Sequence, residues 1–71
     1  MKRVCILTSR FPYPENGGDV VLINDIMRYF KEIDYEVILL SYYESHQKQD
    51  ITYNYDNIDK MIVIKRNRLT S

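Results

Sequence analysis

The residues of this sequence best suited to chemistry lie together in one short segment, Asn16-Gly17-Gly18-Asp19. Two adjacent glycines let the backbone adopt positive φ angles and approach a ligand closely. A helix that begins here would present unpaired backbone N–H groups toward an anion, and phosphate is the natural ligand of such a segment. A simpler alternative stays open, in which these residues only form a turn ahead of a helix with Asp19 as its N-cap.

Two common nucleotide-binding motifs do not fit this segment. The dinucleotide fingerprint needs three spaced glycines in a tight turn directly after a strand. Here residues 11–19 form a long segment that holds both prolines and both glycines of the chain. A Walker A loop needs a Gly-Lys pair followed by Ser or Thr, which the sequence lacks. NAD binding and P-loop chemistry are therefore not expected.

Three short apolar runs and one amphipathic segment predict the elements that position this loop. Residues 4–7 and 61–64, and residues 37–40 within the segment 36–41, are continuous apolar runs, which are typical of strands buried in a parallel sheet. A helix is expected to begin after Asp19 and to end near Asp34. The order strand, helix, strand, strand predicts an α/β fold, a fragment of a Rossmann-like parallel sheet with a right-handed crossover.

The predicted helix has an apolar side and a polar side. The side expected to face the sheet comprises Leu22, Ile23, Ile26, Met27, Phe30 and Ile33. The side expected to face solvent comprises Asn24, Asp25, Arg28, Lys31 and Glu32. This i, i+3, i+4, i+7 spacing is that of a surface helix packed on a core.

Each predicted strand is apolar on both sides, although one helix covers only one face of a sheet. About half a dozen large apolar side chains would stay uncovered, and each contributes roughly 1.5–3 kcal/mol when buried. We therefore expect residues 1–71 to be a partial N-terminal domain, whose open face indicates a missing chain or self-association. Cys5, inside the first run, is expected to be a small buried hydrophobe.

Composition excludes several classes of protein. The 71 residues carry 10 Lys plus Arg and 10 Asp plus Glu, so the zero net charge gives no indication of a nucleic-acid partner. The apolar runs are far shorter than the roughly 20 residues of a membrane span, and too short for a signal peptide. A cytoplasmic chain without a metal site, a cofactor or a catalytic residue of its own is expected.

A longer stretch of the sequence resembles a known family. Residues 7–19, Leu-Thr-Ser-Arg-Phe-Pro-Tyr-Pro-Glu-Asn-Gly-Gly-Asp, follow a Met-Lys-Arg-Val-Cys-Ile start and precede the amphipathic helix. With the second strand at residues 36–41, this arrangement resembles the N-terminus of bacterial glycosyltransferases of family 4, which are two-domain GT-B enzymes. The resemblance covers residues 1–41 well and residues 58–66 loosely.

The resemblance implies the N-terminal, acceptor-side part of a retaining glycosyltransferase of polysaccharide biosynthesis, which transfers a sugar from a nucleotide-sugar donor to a glycan or lipid-linked acceptor. Gly17 and Gly18 match the glycine pair that closes on the donor diphosphate, and Arg10, Asn16 and Asp19 are acceptor-side candidates by location. Val20 stands where many relatives have a basic residue. The family's second, donor-binding domain is absent from these residues, so we expect them to be inactive in isolation.

Two other functions stay open, a small phosphate- or sugar-phosphate-binding module built on the same loop and a nonfunctional product of a truncated gene. Two polar residues, Glu44 and His46, are interpreted as solvated loop residues. An aromatic platform is an alternative to simple packing for Tyr42, Tyr43, Tyr53 and Tyr55. A contact with the inner face of the membrane is the alternative to a solvated tail for Lys65, Arg66 and Arg68.

Overall fold

The computed structural model describes residues 2–13 and 17–66, and its elements follow the predicted order. Strand β1 is Arg3–Thr8, helix α1 is Gly18–Glu32, strand β2 is Glu36–Tyr43 and strand β3 is Lys60–Lys65. Two 3₁₀ turns, at Ser45–Gln47 and Asp50–Thr52, lie between β2 and β3. The predicted α/β class and the order strand, helix, strand, strand are therefore confirmed.

The strands form one parallel sheet with β2 in the middle, in the order β1-β2-β3. β2 extends two residues beyond its predicted end, because Tyr42 and Tyr43 pair with Ile64 and Lys65 of β3. Since all three strands run in the same direction, their carboxyl ends meet at one edge of the sheet. That edge is where the residues following each strand come together.

One face of the sheet is covered by α1 and by the segment between β2 and β3. Val37 and Leu39 of β2 are fully buried with Met27 of α1 and Phe11 of the loop after β1. Partly buried residues pack around this core: Val4, Ile6, Tyr13, Ile23, Phe30, Tyr43, Ile51, Tyr55, Ile58, Met61 and Val63. Two of the predicted platform tyrosines thus contribute to packing.

The opposite face of the sheet is largely uncovered by the residues that the structure describes. Leu7 is 75% exposed and Ile62 is 54% exposed, and Tyr42 and Ile64 on the same face are also exposed. The expectation that a single helix leaves one face open is confirmed. The expectation that Cys5 is buried is wrong, because it alternates with Val4 and Ile6 and its side chain lies on the open face, where it is exposed.

The helix α1 turns a polar residue toward the core. Its buried residues are Val20, Asn24 and Met27, so the placement of Asn24 on the solvent side was wrong. The side-chain Nδ2 of Asn24 donates to the carbonyl oxygens of Pro12, at 2.9 Å, and Val20, at 3.0 Å, which satisfies its two donors, whereas its Oδ1 has no hydrogen-bond partner among the described residues. Three residues expected to face the sheet are exposed instead: Leu22, Ile26 and Ile33.

The C-terminal end of α1 is closed by a Schellman motif without glycine. The N–H of Tyr35 donates to the carbonyl of Phe30, at 2.9 Å, and the N–H of Asp34 donates to that of Lys31, at 3.1 Å. Asp34 has the left-handed φ of 64° that this motif requires. The rings of Phe30 and Tyr35, 5.0 Å apart between centroids, supply the accompanying apolar contact.

Asp59, directly before β3, joins three elements. Its carboxylate accepts from Lys31 Nζ of α1, at 2.9 Å, and from the N–H of Val37 of β2, at 2.7 Å. Its own N–H donates to the carbonyl of Val37, at 2.8 Å. The Val37 N–H, followed by Lys31, holds the pKa of Asp59 below its ordinary value near 3.8. This carboxylate therefore aligns the start of β3 with β2 and with the end of α1.

Candidate functional site

A cleft of about 310 Å³ lies at the edge of the sheet where the three strands end. The cleft is lined by Ser9, Arg10, Tyr42, Tyr43, Glu44, His46, Gln47 and Arg66. These residues follow β1, end or follow β2, and follow β3. Open α/β sheets bind their ligands outside the carboxyl ends of the strands, so this cleft is the candidate site.

Arg10 connects the cleft to the start of α1. Its Nη1 lies 3.2 Å from Oδ2 of Asp19, and both side chains are more than half exposed. The hydroxyl of Thr8 donates to the carbonyl of Arg10, at 3.0 Å, and thereby holds the turn after β1. Exposed ion pairs contribute only about 0–1 kcal/mol. A ligand anion could therefore take the place of Asp19 on the Arg10 guanidinium at little cost.

The N-cap of α1 is Gly17, and the prediction that Asp19 is the N-cap is wrong. Gly17 has a φ of 119°, which side chains rarely adopt, and its carbonyl accepts the first helical hydrogen bond from Val21, at 3.2 Å. Asp19 therefore falls in the first turn, where its negative charge interacts favourably with the positive end of the helix dipole.

The fold explains one glycine of the pair and not the other. A Cβ at Gly17 would lie 3.2 Å from Oδ1 of Asp19 in a strained backbone conformation. A Cβ at Gly18 would meet nothing within 4 Å. Space next to Gly18 is thus open at the first turn of α1, where N–H groups lack helical acceptors.

Arg66 is a site residue that sequence reasoning missed, because it was interpreted as part of a solvated tail. Its N–H donates to the carbonyl of Tyr43, at 2.9 Å, and so extends the contact between β2 and β3 by one residue. Its Nη2 donates to the carbonyl of Ser9, and its guanidinium carbon lies 5.3 Å from the centroid of the Tyr42 ring. The guanidinium thus bridges the ends of β1 and β2, which only the strand register could reveal. Arg68 lies outside the described residues.

Gln47 ties the segment after β2 to the loop after β1. Its Nε2 donates to the carbonyls of Phe11, at 3.4 Å, and Tyr13, at 3.2 Å. Its Oε1 accepts from the N–H of Glu44, at 2.9 Å, in a capping box that forms the first 3₁₀ turn. His46 in this turn is exposed, as predicted, but it also lines the cleft.

The four tyrosines of the predicted platform do not form one surface. Tyr55 stacks on Tyr13 with centroids 3.8 Å apart and donates to the carbonyl of Asp50, at 2.6 Å. Burial, followed by the charge of Asp50, raises the pKa of Tyr55. Of the four, Tyr42 and Tyr43 line the cleft, whereas Tyr53 is 61% exposed elsewhere.

The predicted site residues are brought into one region, although not into one cavity. Arg10 lines the cleft and contacts Asp19, whereas Gly17 and Gly18 lie at the helix start beside this pair and outside the cleft lining. Asn16, the remaining acceptor-side candidate, lies outside the described residues.

Comparisons with known proteins do not add a relative to this picture. No protein-family model, no curated protein and no solved structure matches the chain. Among residues 2–13 and 17–66, no helix combines the length and apolar character needed to cross a membrane.

Proposed function

We propose that this chain is the acceptor-side part of a glycosyltransferase, with its sheet forming part of the N-terminal Rossmann-like domain of a GT-B enzyme. The observation that carries the proposal is the polar cleft at the carboxyl edge of a parallel sheet, joined through Arg10 and Asp19 to a helix that begins at a Gly-Gly pair. The sequence resemblance of residues 1–41 supports the same function.

The glycine pair would act on the leaving diphosphate of a nucleotide-sugar donor. Negative charge grows on the leaving phosphate as the sugar departs, and backbone N–H groups fixed in advance stabilise such charge. The open space at Gly18 lets a phosphate approach the first turn of α1, whereas a side chain there would project into that space. Gly17 has a second role, since its backbone conformation directs the chain into the helix.

The cleft would hold the acceptor, a glycan or a lipid-linked sugar, near the inner face of the membrane. Arg10 and Asp19 are its acceptor-side contacts in this proposal, joined by the cleft lining from β2 and β3. Transfer requires that donor and acceptor be held together, and such positioning accounts for much of the barrier reduction. We therefore expect no transfer activity from these 71 residues alone.

The uncovered sheet face supports a second element of the proposal, contact with further polypeptide. Leu7, Tyr42, Ile62 and Ile64 present apolar surface that parallel sheets normally bury under helices.

A small sugar-phosphate-binding module is the second candidate function. It is favoured by the two arginines of the cleft lining, Arg10 and Arg66, because guanidinium groups suit a phosphate.

The proposal is tested by titrating the isotopically labelled chain with UDP-glucose and GDP-mannose and recording amide chemical shifts. We expect shifts at Gly17, Gly18 and Asp19, and a smaller response from Gly18→Ala, whose fold should be unchanged. The control is Asn57→Ala, in the turn before β3 and away from the cleft lining. Unshifted amides at the start of α1 up to the solubility limit of both donors would refute the proposed donor contact.

A further inference from the structure

Arg66 places a guanidinium in the cleft without a carboxylate partner among residues 2–13 and 17–66. Its described contacts are the carbonyl of Ser9 and the ring of Tyr42, neither of which carries a charge. A guanidinium has five N–H donors, and one of them is used by Ser9. Arg66 therefore retains hydrogen-bonding capacity and its full positive charge at the candidate site.

A second arginine of the cleft increases this positive charge. Arg10 lines the same cleft, and its partner Asp19 is an exposed residue outside the lining. His46 also lines the cleft. Glu44 is the one carboxylate among the eight lining residues. The balance of charges favours an anionic ligand over a neutral one.

Arg66 is also held in place before any ligand arrives. Its backbone is bonded to Tyr43, its guanidinium to the carbonyl of Ser9, and the Tyr42 ring lies beneath it. Ordering a long side chain costs about 0.5–1.5 kcal/mol on binding, and this cost is reduced when the side chain is already fixed. Arginine in a fixed position is the residue best suited to bind phosphate through two parallel hydrogen bonds.

The size of the cleft limits the ligand. Its volume of about 310 Å³ is at the lower end of the range for small-molecule sites, roughly 300–1,000 Å³. A monosaccharide phosphate fits this range better than a complete nucleotide sugar. The donor diphosphate of the proposed function would therefore contact α1, whereas the cleft takes a smaller group.

We infer that this cleft binds the phosphate of a small phosphorylated sugar, with Arg66 and Arg10 as its charged contacts. The inference rests on the proposed function in that this ligand is the acceptor, and it specifies a phosphorylated acceptor instead of a neutral glycan. A soluble sugar phosphate and a lipid-linked phosphate present the same group to the two arginines.

The test is a titration of the full chain, monitored by calorimetry and by the NMR signal of the Arg66 Nε–H group. The probes are inorganic phosphate, glucose 1-phosphate, neutral glucose and geranyl phosphate. Both phosphate and glucose 1-phosphate should shift the Arg66 signal, and glucose should not. Tighter binding of glucose 1-phosphate than of geranyl phosphate identifies a soluble ligand, whereas tighter binding of geranyl phosphate identifies the lipid-linked source.

Variants separate a specific contact from general attraction. Arg66→Gln should lower the affinity for glucose 1-phosphate at least tenfold. Arg66→Lys should retain only part of the affinity, because lysine lacks the planar guanidinium group with its parallel N–H donors. Lys60→Gln is the matched control, since it removes one exposed positive charge at the opposite end of β3. If Arg66→Gln disturbs the fold, Arg10→Gln still tests the site. The Arg10 side chain is 58% exposed, so its replacement should weaken phosphate binding and leave the fold intact.

Three results would overturn the inference: equal affinity for glucose and glucose 1-phosphate, no binding of any phosphate probe, or equal losses from Arg66→Gln and Lys60→Gln. The proposed function fails separately. If phosphate shifts Arg66 while nucleotide sugars leave Gly17 and Gly18 unshifted, the donor contact is refuted and the phosphate site stands. If nucleotide sugars shift the amides of Gly17 and Gly18 while phosphate leaves Arg66 unshifted, the donor contact stands and the phosphate site is refuted.

Discussion

The one-sided covering of the sheet predicts very different costs for the same substitution at two leucines. Leu39 of β2 is fully buried on the covered face, and Leu7 of β1 is 75% exposed on the open face. Both leucines lie in strands of the same sheet. Leu7 pairs with Leu40, which directly follows Leu39 in β2. Replacing each by alanine removes the same atoms, so a difference in stability reports on the covering of each face.

The expected magnitudes follow from the exposed fractions. Leu→Ala removes the equivalent of three methylene groups, or about 2.4 kcal/mol at about 0.8 kcal/mol each when fully buried. The cavity left at Leu39 raises the total to about 2.7–5 kcal/mol. At Leu7 only one quarter of the side chain is covered, so Leu7→Ala should lower the free energy of unfolding by about 0.6 kcal/mol. The two variants should therefore differ by about 2 kcal/mol or more.

Urea unfolding monitored by circular dichroism measures both variants against the parent chain. A fixed concentration of trimethylamine N-oxide in every sample keeps the folded state populated, since this osmolyte favours burial. Sedimentation at several protein concentrations is run in parallel, because association would cover Leu7. If Leu7→Ala costs as much as Leu39→Ala in a monomeric sample, the conclusion that the β1 open face is solvent-exposed is refuted.

Four further substitutions test local features of the fold. Gly17→Ala should destabilise by about 1–3 kcal/mol, because its backbone conformation is accessible almost only to glycine, whereas Gly18→Ala should be neutral or stabilise by up to about 1 kcal/mol. Asp34→Gly should stabilise by about 0.5 kcal/mol, because glycine adopts the left-handed helix-closing conformation without a Cβ penalty. Asp59→Asn should lower the free energy of unfolding at pH 7 by about 1–2 kcal/mol, mainly because the Val37 N–H then donates to a neutral amide oxygen instead of a charged carboxylate. The Lys31 pair is partly exposed and contributes less. This loss should vanish in acid: the pKa of folded Asp59 lies below 3.8, so its contribution is present above that value and disappears as the pH falls through the folded pKa.

Urea midpoints at pH 7 and at lower pH values provide these measurements. Equal costs for Gly17→Ala and Gly18→Ala would contradict the assignment of Gly17 as the constrained residue. A destabilising Asp34→Gly would mean that the carboxylate has a favourable role beyond its backbone conformation. An Asp59→Asn cost that persists well below the folded pKa would show that the ionised carboxylate is not the cause.

Hydrophobic spacing predicted most of the architecture because it depends on local sequence. The runs at residues 4–7, 36–41 and 61–64 each lie within an observed strand, and the 3.6-residue period lies within the observed helix except for its last member, Ile33, which is the C-cap. The same pattern predicted an uncovered sheet face, since apolar residues on both sides of three strands exceed what one helix can cover. Chain order alone then placed the loop after β1 beside the start of α1.

Local pattern failed where a side chain is stabilised by a distant partner. Asn24 was assigned to solvent because it is polar, yet the carbonyl of Pro12, twelve residues earlier, accepts a hydrogen bond from its amide. Cys5 was assigned to the interior because it is apolar, although its face of the sheet has no cover among the described residues.

Local sequence patterns predict the α/β class, the element order, the open sheet face and the glycine-rich start of the helix. The set of residues that form the cleft follows from the packing of the three strands. Arg66 reaches Ser9 because β1 and β3 both flank β2 in parallel register, which brings residues 57 positions apart to the same edge. Such contacts depend on strand pairing across the whole sheet, and no local spacing in the sequence encodes them.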